Sequence, residues 1–127
     1  IKCPIWVSFV LKDENSLLSG EKLIYVLNRL KSFDVDTILI NCNPLDKTAR
    51  ALEYIVDNWT GSWGIYPNLG KGEPSPDGKN IETESLSKYV SVIEQSINLG
   101  ASVVGACCGS SSAHIAEIKK LQYDLSI

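Results

Sequence analysis

Apolar residues recur along this chain in two alternating rhythms. Four short runs carry β-branched, aromatic and other apolar residues in close succession: "PIWVSFVL" (4–11), "DTILIN" (36–41), "GSWGIYPN" (61–68) and "ASVVGAC" (101–107). Each is bounded by turn-forming residues, which predicts a strand. Between them the apolar spacing changes to three and four. Leu23, Val26, Leu27 and Leu30 share one face after a Ser19-Gly20 start, and Leu45, Ala49, Leu52, Val56 and Trp59 follow Pro44. Leu86, Val90, Ile93 and Ile97 lead to the helix stop Gly100, and Ile115, Ile118 and Leu121 follow a run of serines. These four segments are predicted helices.

Continuous apolar strands separated by amphipathic helices imply an α/β fold of parallel strands covered by helices. Four βα units fit a small doubly wound sheet or half of a (βα)₈ barrel, and the pattern leaves both open. In either fold, function belongs at the carboxyl edge of the strands. Asn41 and Cys42 end the second strand there, Tyr66, Pro67 and Asn68 the third, and Cys107 and Cys108 the fourth. The connection "LGKGEPSPDGKNIETE" (69–84) is long for a βα loop and either covers a site or makes a plain surface excursion.

Composition narrows the class. With 127 residues, 44 % hydrophobic and 21 % charged, the chain reads as one globular domain. A net charge of −3 argues against nucleic-acid or anionic-membrane partners, which call for a basic face. No run of 18 apolar residues marks a transmembrane helix. The opening "IKCPIWVSFVL" lacks a basic leader and a cleavage site, and the absence of methionine points to a segment of a longer protein. Four cysteines without a secretory leader suggest a reducing compartment, the cytoplasm, with free or metal-bound thiols.

Adjacent strand residues point to opposite faces, so Cys107 and Cys108 aim at one target only if the backbone leaves the extended state between them. Gly109 and the serines that follow make such a turn feasible. If the second and fourth strands flank the third, their ends lie roughly 10 Å apart, a gap that inward cysteine side chains can close around one ion. Three thiolates favour zinc and leave a fourth position open. Two other readings stand beside this one: three buried cysteines acting as small hydrophobes, or a redox pair. Cys3 reads as an ordinary buried or terminal thiol. His114, just inside the last helix, reads as a surface or capping histidine.

"INCNP" (40–44), "YPNLG" (66–70) and "GACCGSSSAHI" (105–115) together resemble the homocysteine S-methyltransferases, as does "PIWVSFVLKDENSLLSG" (4–20) with that family's fifth strand and following loop. The likeness runs in order from about residue 4 to 121. It implies the C-terminal half of a (βα)₈ barrel, strands five to eight, with residues 1–127 forming a partial homocysteine-binding domain. Cys42, Cys107 and Cys108 match the family's zinc ligands, and Asn41, Tyr66 and Asn68 are the implied substrate contacts. The family's Gly-Gly-Cys-Cys-Gly-Thr-Thr-Pro pattern is altered: Ala106 replaces a glycine, Ser110, Ser111, Ser112 and Ala113 replace the Thr-Thr-Pro region, and Leu69 stands where a small polar residue is common.

The implied reaction is zinc-dependent methyl transfer to the homocysteine thiol, giving methionine. Zinc with four thiolates is net negative and attracts a cationic donor such as S-methylmethionine, S-adenosylmethionine or betaine. Trp6, Trp63 and Tyr66 are candidates for a cation–π face, or for simple packing. Residues gripping the amino acid's charged groups come mostly from the other half-barrel in that family. A missing half-barrel or a homodimer partner is therefore expected. Two rivals remain: a phosphate-binding half-barrel using "GKG" (70–72), and a zinc-binding remnant inactive without its N-terminal half.

Overall fold

The computed structural model describes residues 2–71, 75–79 and 82–125. In chain order its elements are β1 (Trp6–Phe9), β2 (Leu11–Asp13), β3 (Ser16–Leu17), α1 (Leu23–Leu30), β4 (Thr37–Pro44) and α2 (Leu45–Asn58), then β5 (Ser62–Asn68), β6 (Gly70–Lys71), β7 (Glu82–Thr83), α3 (Leu86–Asn98), β8 (Val103–Val104) and α4 (Ser112–Leu125). Four strands form one sheet in the order β1-β4-β5-β8, and every neighbouring pair is parallel. The expected alternation of strands and helices is therefore present, with β5 between the two cysteine-bearing ends.

Strand pleating sorts side chains onto two faces. Ile38 and Ile40 of β4 and Trp63 and Ile65 of β5 join Leu23 and Leu27 of α1, Leu45, Leu52 and Ile55 of α2, and Tyr89 and Ile93 of α3 in one buried cluster. On the other face, Trp6 and Ser8 of β1 are exposed. Trp63 is thus a core residue at 5 % exposure, which removes it from the candidate donor face. The buried face of α2 is Leu45, Thr48, Ala51, Leu52 and Ile55. That is a partial turn away from the expected stripe, because Val56 is exposed and Trp59 already caps the helix in extended conformation.

Several boundaries differ from expectation. The first predicted strand divides at Val10, because Asp13 accepts the Asn15 N–H at 3.0 Å and turns the chain into the β2–β3 hairpin. Helix α1 starts at Leu23 rather than at Ser19-Gly20: Gly20 has φ +103 and serves the turn before the helix. The last strand shrinks to Val103–Val104, which pair only with Gly64 and Ile65. By contrast α3 keeps its predicted limits, with the Ser85 hydroxyl accepting the Lys88 N–H at 3.2 Å and Gly100 following its C-cap at φ +99.

Gly64 is the seam of the β5–β8 pair. A Cβ there would collide with the Val103 carbonyl oxygen, and Val103 Cβ would lie 2.6 Å away. Gly64→Ala is expected to cost about 1–3 kcal/mol, the usual range for overpacking. Chemical denaturation of both proteins measures this directly, as a lowered midpoint at unchanged slope.

Candidate metal centre

The site begins with an irregularity in β4. Asn41 sits opposite Tyr66 and Pro44 opposite Asn68, so Cys42 and Asn43 together face the single residue Pro67. One extra residue in one strand is a β-bulge, which bends the strand and re-aims a side chain. Cys42 takes φ +55, and it is the only non-glycine among the described residues with positive φ. A left-handed conformation costs an L-residue about 1–2 kcal/mol, and such strain collects at functional positions. The second strand therefore does not end at Cys42, as expected, but runs through it to Pro44.

Asn43 fills the space beneath the bulge at 1 % exposure. Its Oδ1 accepts the Leu11 N–H at 2.9 Å, and its Nδ2 donates to the Asn41 carbonyl at 3.0 Å. The Thr48 hydroxyl lies 3.2 Å from the Asn43 carbonyl and 3.0 Å from that of Pro44.

The second arm follows β8. Tyr89 is fully buried and donates its hydroxyl to the Gly105 carbonyl at 3.1 Å. Cys107 N–H donates to Pro67 O at 2.9 Å, and Leu69 N–H donates to Cys108 O at 2.9 Å. Ser110 closes the turn by donating its hydroxyl to Cys107 O at 2.6 Å. Gly109 has φ +80, the left-handed value the turn requires. The apolar Leu69 is completely buried here.

Both arms meet. Cys42 and Cys108 Sγ are 3.8 Å apart and Cys107 and Cys108 Sγ 3.9 Å, with all three sulfurs within 4.8 Å of one another. Four ligands in a tetrahedron at the Zn–S length of about 2.3 Å place sulfurs about 3.8 Å apart. The donor set thus fits a tetrahedral thiophilic cation in spacing and in chemistry. Burial pushes the Cys42 thiol up to about 12, and the Cys107 and Cys108 thiols beside it act in the same direction. A cation reverses that balance, since it favours thiolate over thiol.

Of the expected substrate contacts, Asn68 donates from Nδ2 to Cys42 Sγ at 3.8 Å while its Oδ1 accepts the Gly70 N–H at 2.7 Å. Asn41 and Tyr66 stand together through Ser8, whose hydroxyl donates to Asn41 Oδ1 at 2.6 Å and lies 2.7 Å from the Tyr66 hydroxyl. Cys3 is exposed and outside the cluster. His114 Nδ1 accepts the Ser111 N–H at 3.0 Å and its ring meets Tyr89 edge-on at 5.1 Å, a helix-start role away from the sulfurs. In "GKG", Gly70 and Lys71 pair with Thr83 and Glu82 as a short ribbon, while Gly72 lies outside the described residues. No helix among the described residues is long and apolar enough to cross a membrane.

Sequence reasoning missed Asn43, Ser8 and Tyr89. The signal for Asn43 was present as an Asn-Pro pair, a turn former directly after a strand-end cysteine. Tyr89 gave no signal beyond its helical spacing.

A parallel α/β sheet whose carboxyl edge gathers three thiols around one point presents a donor set of the kind that suits a soft metal. The family model described as homocysteine S-methyltransferase matches residues 1–122, and the chain belongs to that family. Among curated relatives, the homocysteine S-methyltransferase of Escherichia coli is 28 % identical over 116 residues, 90 % of this chain and 37 % of the relative. A selenocysteine methyltransferase of Astragalus bisulcatus is 28 % identical over 122 residues, 93 % of this chain and 36 % of the relative. The solved metallated form of the E. coli homocysteine methyltransferase MmuM superposes with a TM-score of 0.75 at 26 % identity, covering 94 % of this chain and 36 % of that one. The chain spans little more than a third of the length of these curated relatives.

Proposed function

We propose that this chain is the C-terminal half of a (βα)₈ barrel, strands five to eight, that holds zinc and serves methyl transfer from a cationic donor to the thiol of homocysteine, giving methionine. The observation that carries this reading is the convergence of Cys42, Cys107 and Cys108 Sγ at tetrahedral spacing on the carboxyl edge of a parallel sheet. Cys42, Cys107 and Cys108 would hold the ion through three thiolates, leaving its remaining position for a substrate. Zinc so bound supplies charge that keeps an incoming thiol ionised near neutral pH.

The chain's own residues supply the rest of the setting. The S–CH₃ bond to homocysteine forms as the donor's bond to the same methyl breaks, and the donor departs neutral if it arrived as a sulfonium. No side-chain base is required for that displacement. Ser8, Asn41 and Tyr66 form a polar, hydrogen-bonded patch at the same sheet end, where Asn41 and Tyr66 would position substrate. Asn68, set against Cys42 Sγ, would do so beside the sulfurs. The negative thiolate cluster selects for a cationic donor, with S-methylmethionine, S-adenosylmethionine and betaine as candidates. Thiols kept for metal fit a reducing compartment such as the cytoplasm.

The remaining barrel strands would come from a further segment or a partner, meeting the open edges of β1 and β8. Zinc content of the purified protein tests the first part, with one ion per chain expected. The second test pairs the chain with the complementary half of a relative's barrel and follows methionine formation from homocysteine with each donor. Zinc-loaded, folded protein that turns over none of them sinks the methyltransferase reading.

A further inference from the structure

The bulge that delivers Cys42 has its own lock, and the geometry points to Asn43 as the positioning residue that holds Cys42 in thiol register. This inference rests on the proposed metal centre. It adds a residue that touches neither ion nor substrate. Cys42 carries its sulfur to Cys108 only because its backbone adopts φ +55, a conformation an isolated cysteine disfavours. Something nearby must offset that preference.

Three observations single out Asn43. Its side chain is buried at 1 % exposure on the inner side of the bulge, where a residue with no polar role would be apolar. Its amide is used at both ends: Oδ1 takes the Leu11 N–H across from the start of β2, and Nδ2 holds the Asn41 carbonyl immediately before the bulge. Its carbonyl in turn lies within reach of Thr48 Oγ1 in the first turn of α2. The residue after the cysteine is thus pinned to β2 and α2 and clasps the carbonyl of the residue before it, so that Cys42 is held between two fixed neighbours. The side chain spans two elements far apart in sequence, which local turn chemistry alone would not require.

Aspartate at this position keeps an oxygen for the Leu11 N–H but loses the donor to Asn41 O when ionised; alanine loses both. The expected order of Cys42 positioning is wild type, then Asn43→Asp, then Asn43→Ala. Removing an outer-shell partner of a metal ligand typically weakens metal binding about 10- to 100-fold, and that range is expected for Asn43→Ala. Ser96→Ala is the matched control, since the buried Ser96 hydroxyl donates to Ile93 O at 2.7 Å in α3, away from the sulfurs.

Two readouts test the inference on the purified chain. Competition against a chromophoric chelator gives the zinc affinity of each variant, and cobalt substitution gives the sulfur-to-cobalt charge-transfer band that reports the number of thiolates bound. The second readout needs no metal centre. In a Cys3→Ser, Cys107→Ser background only Cys42 and Cys108 remain, and phenylarsine oxide joins two neighbouring thiols by forming two As–S bonds and releasing water. Mass spectrometry then reports whether the two sulfurs reach one another. Wild-type Asn43 is expected to give full bridging, and Asn43→Ala at least a tenfold lower bridging rate. Ser96→Ala should leave zinc affinity within about twofold despite losing a buried hydrogen bond.

Wild type that bridges but binds no zinc refutes the metal centre and leaves the positioning role standing. Either Asn43 variant, folded by circular dichroism, that keeps wild-type bridging, zinc affinity and cobalt spectrum overturns the positioning role. An Asn43→Ala protein that does not fold hands the decision to Asn43→Asp on the same terms.

Discussion

Serine in place of Cys42, Cys107 or Cys108, one at a time, is expected to lower zinc affinity several-hundred-fold. Apparent binding free energies for four-ligand zinc sites run about 10–16 kcal/mol. One thiolate among four ligands then accounts for about 2.5–4 kcal/mol, or about two to three powers of ten. A serine hydroxyl does not ionise near neutral pH and is a harder donor, so it recovers little of that loss. Cys3→Ser is the internal control: the residue is exposed and outside the cluster, and its loss should leave affinity unchanged. Competitive titration with a chelator of known affinity measures all four variants in one format. Full zinc retention by all three cluster variants would place the metal elsewhere.

The second large effect is on pH. Without a cation, burial raises the Cys42 thiol to about 12, so this group is protonated throughout the neutral range. Binding a metal requires the thiolate, and each bound ion therefore displaces the Cys42 proton. The sign follows. Protons compete with metal, so affinity falls as pH falls, and Cys42 alone contributes a factor of ten per pH unit at every pH below about 12. Between pH 8 and pH 6 that is about a hundredfold from one residue, and any further proton released from the cluster steepens it. Zinc titrations in buffers of different ionisation enthalpy count the protons released. Affinity independent of pH over that interval would mean that Cys42 is not a ligand.

Much of this architecture is visible in the bare chain because parallel sheets bury both faces of their strands. "DTILIN" and "GSWGIYPN" place apolar residues on both faces for that reason, and they become the central β4 and β5. The edge strands were harder. Strand β8 keeps two paired residues of a seven-residue apolar run, because only Gly64 and Ile65 face it and the chain then turns toward Cys107. The α2 stripe was misplaced by a fraction of a turn, since Thr48 is buried to bind the carbonyls of Asn43 and Pro44, and an apolar pattern search passes over a buried hydroxyl.

At the site, the three cysteines could be singled out from residue type and strand-end position, and the structure brings them together. What could not be read was the means. A left-handed cysteine has no sequence signature, and the neighbouring Asn43 meets its partners Leu11 and Thr48 only once other elements have packed against it. Ser8 was equally hidden: it lies 33 residues before Asn41 and meets it only after β1 pairs with β4. Trp63 shows the reverse case: residue type left both a cation–π face and simple packing open, and the structure puts the ring in the core.

The extra residue between Asn41 and Pro44 makes the centre vulnerable to a kind of change that spares every sulfur. In-frame loss of a single codon there would restore even pairing with β5 and reverse the direction of whatever side chain follows Asn41. The cysteines could all persist in the gene while the cluster they form came apart. A length change alone can therefore take the three thiols apart, and an inventory of cysteines would not reveal it.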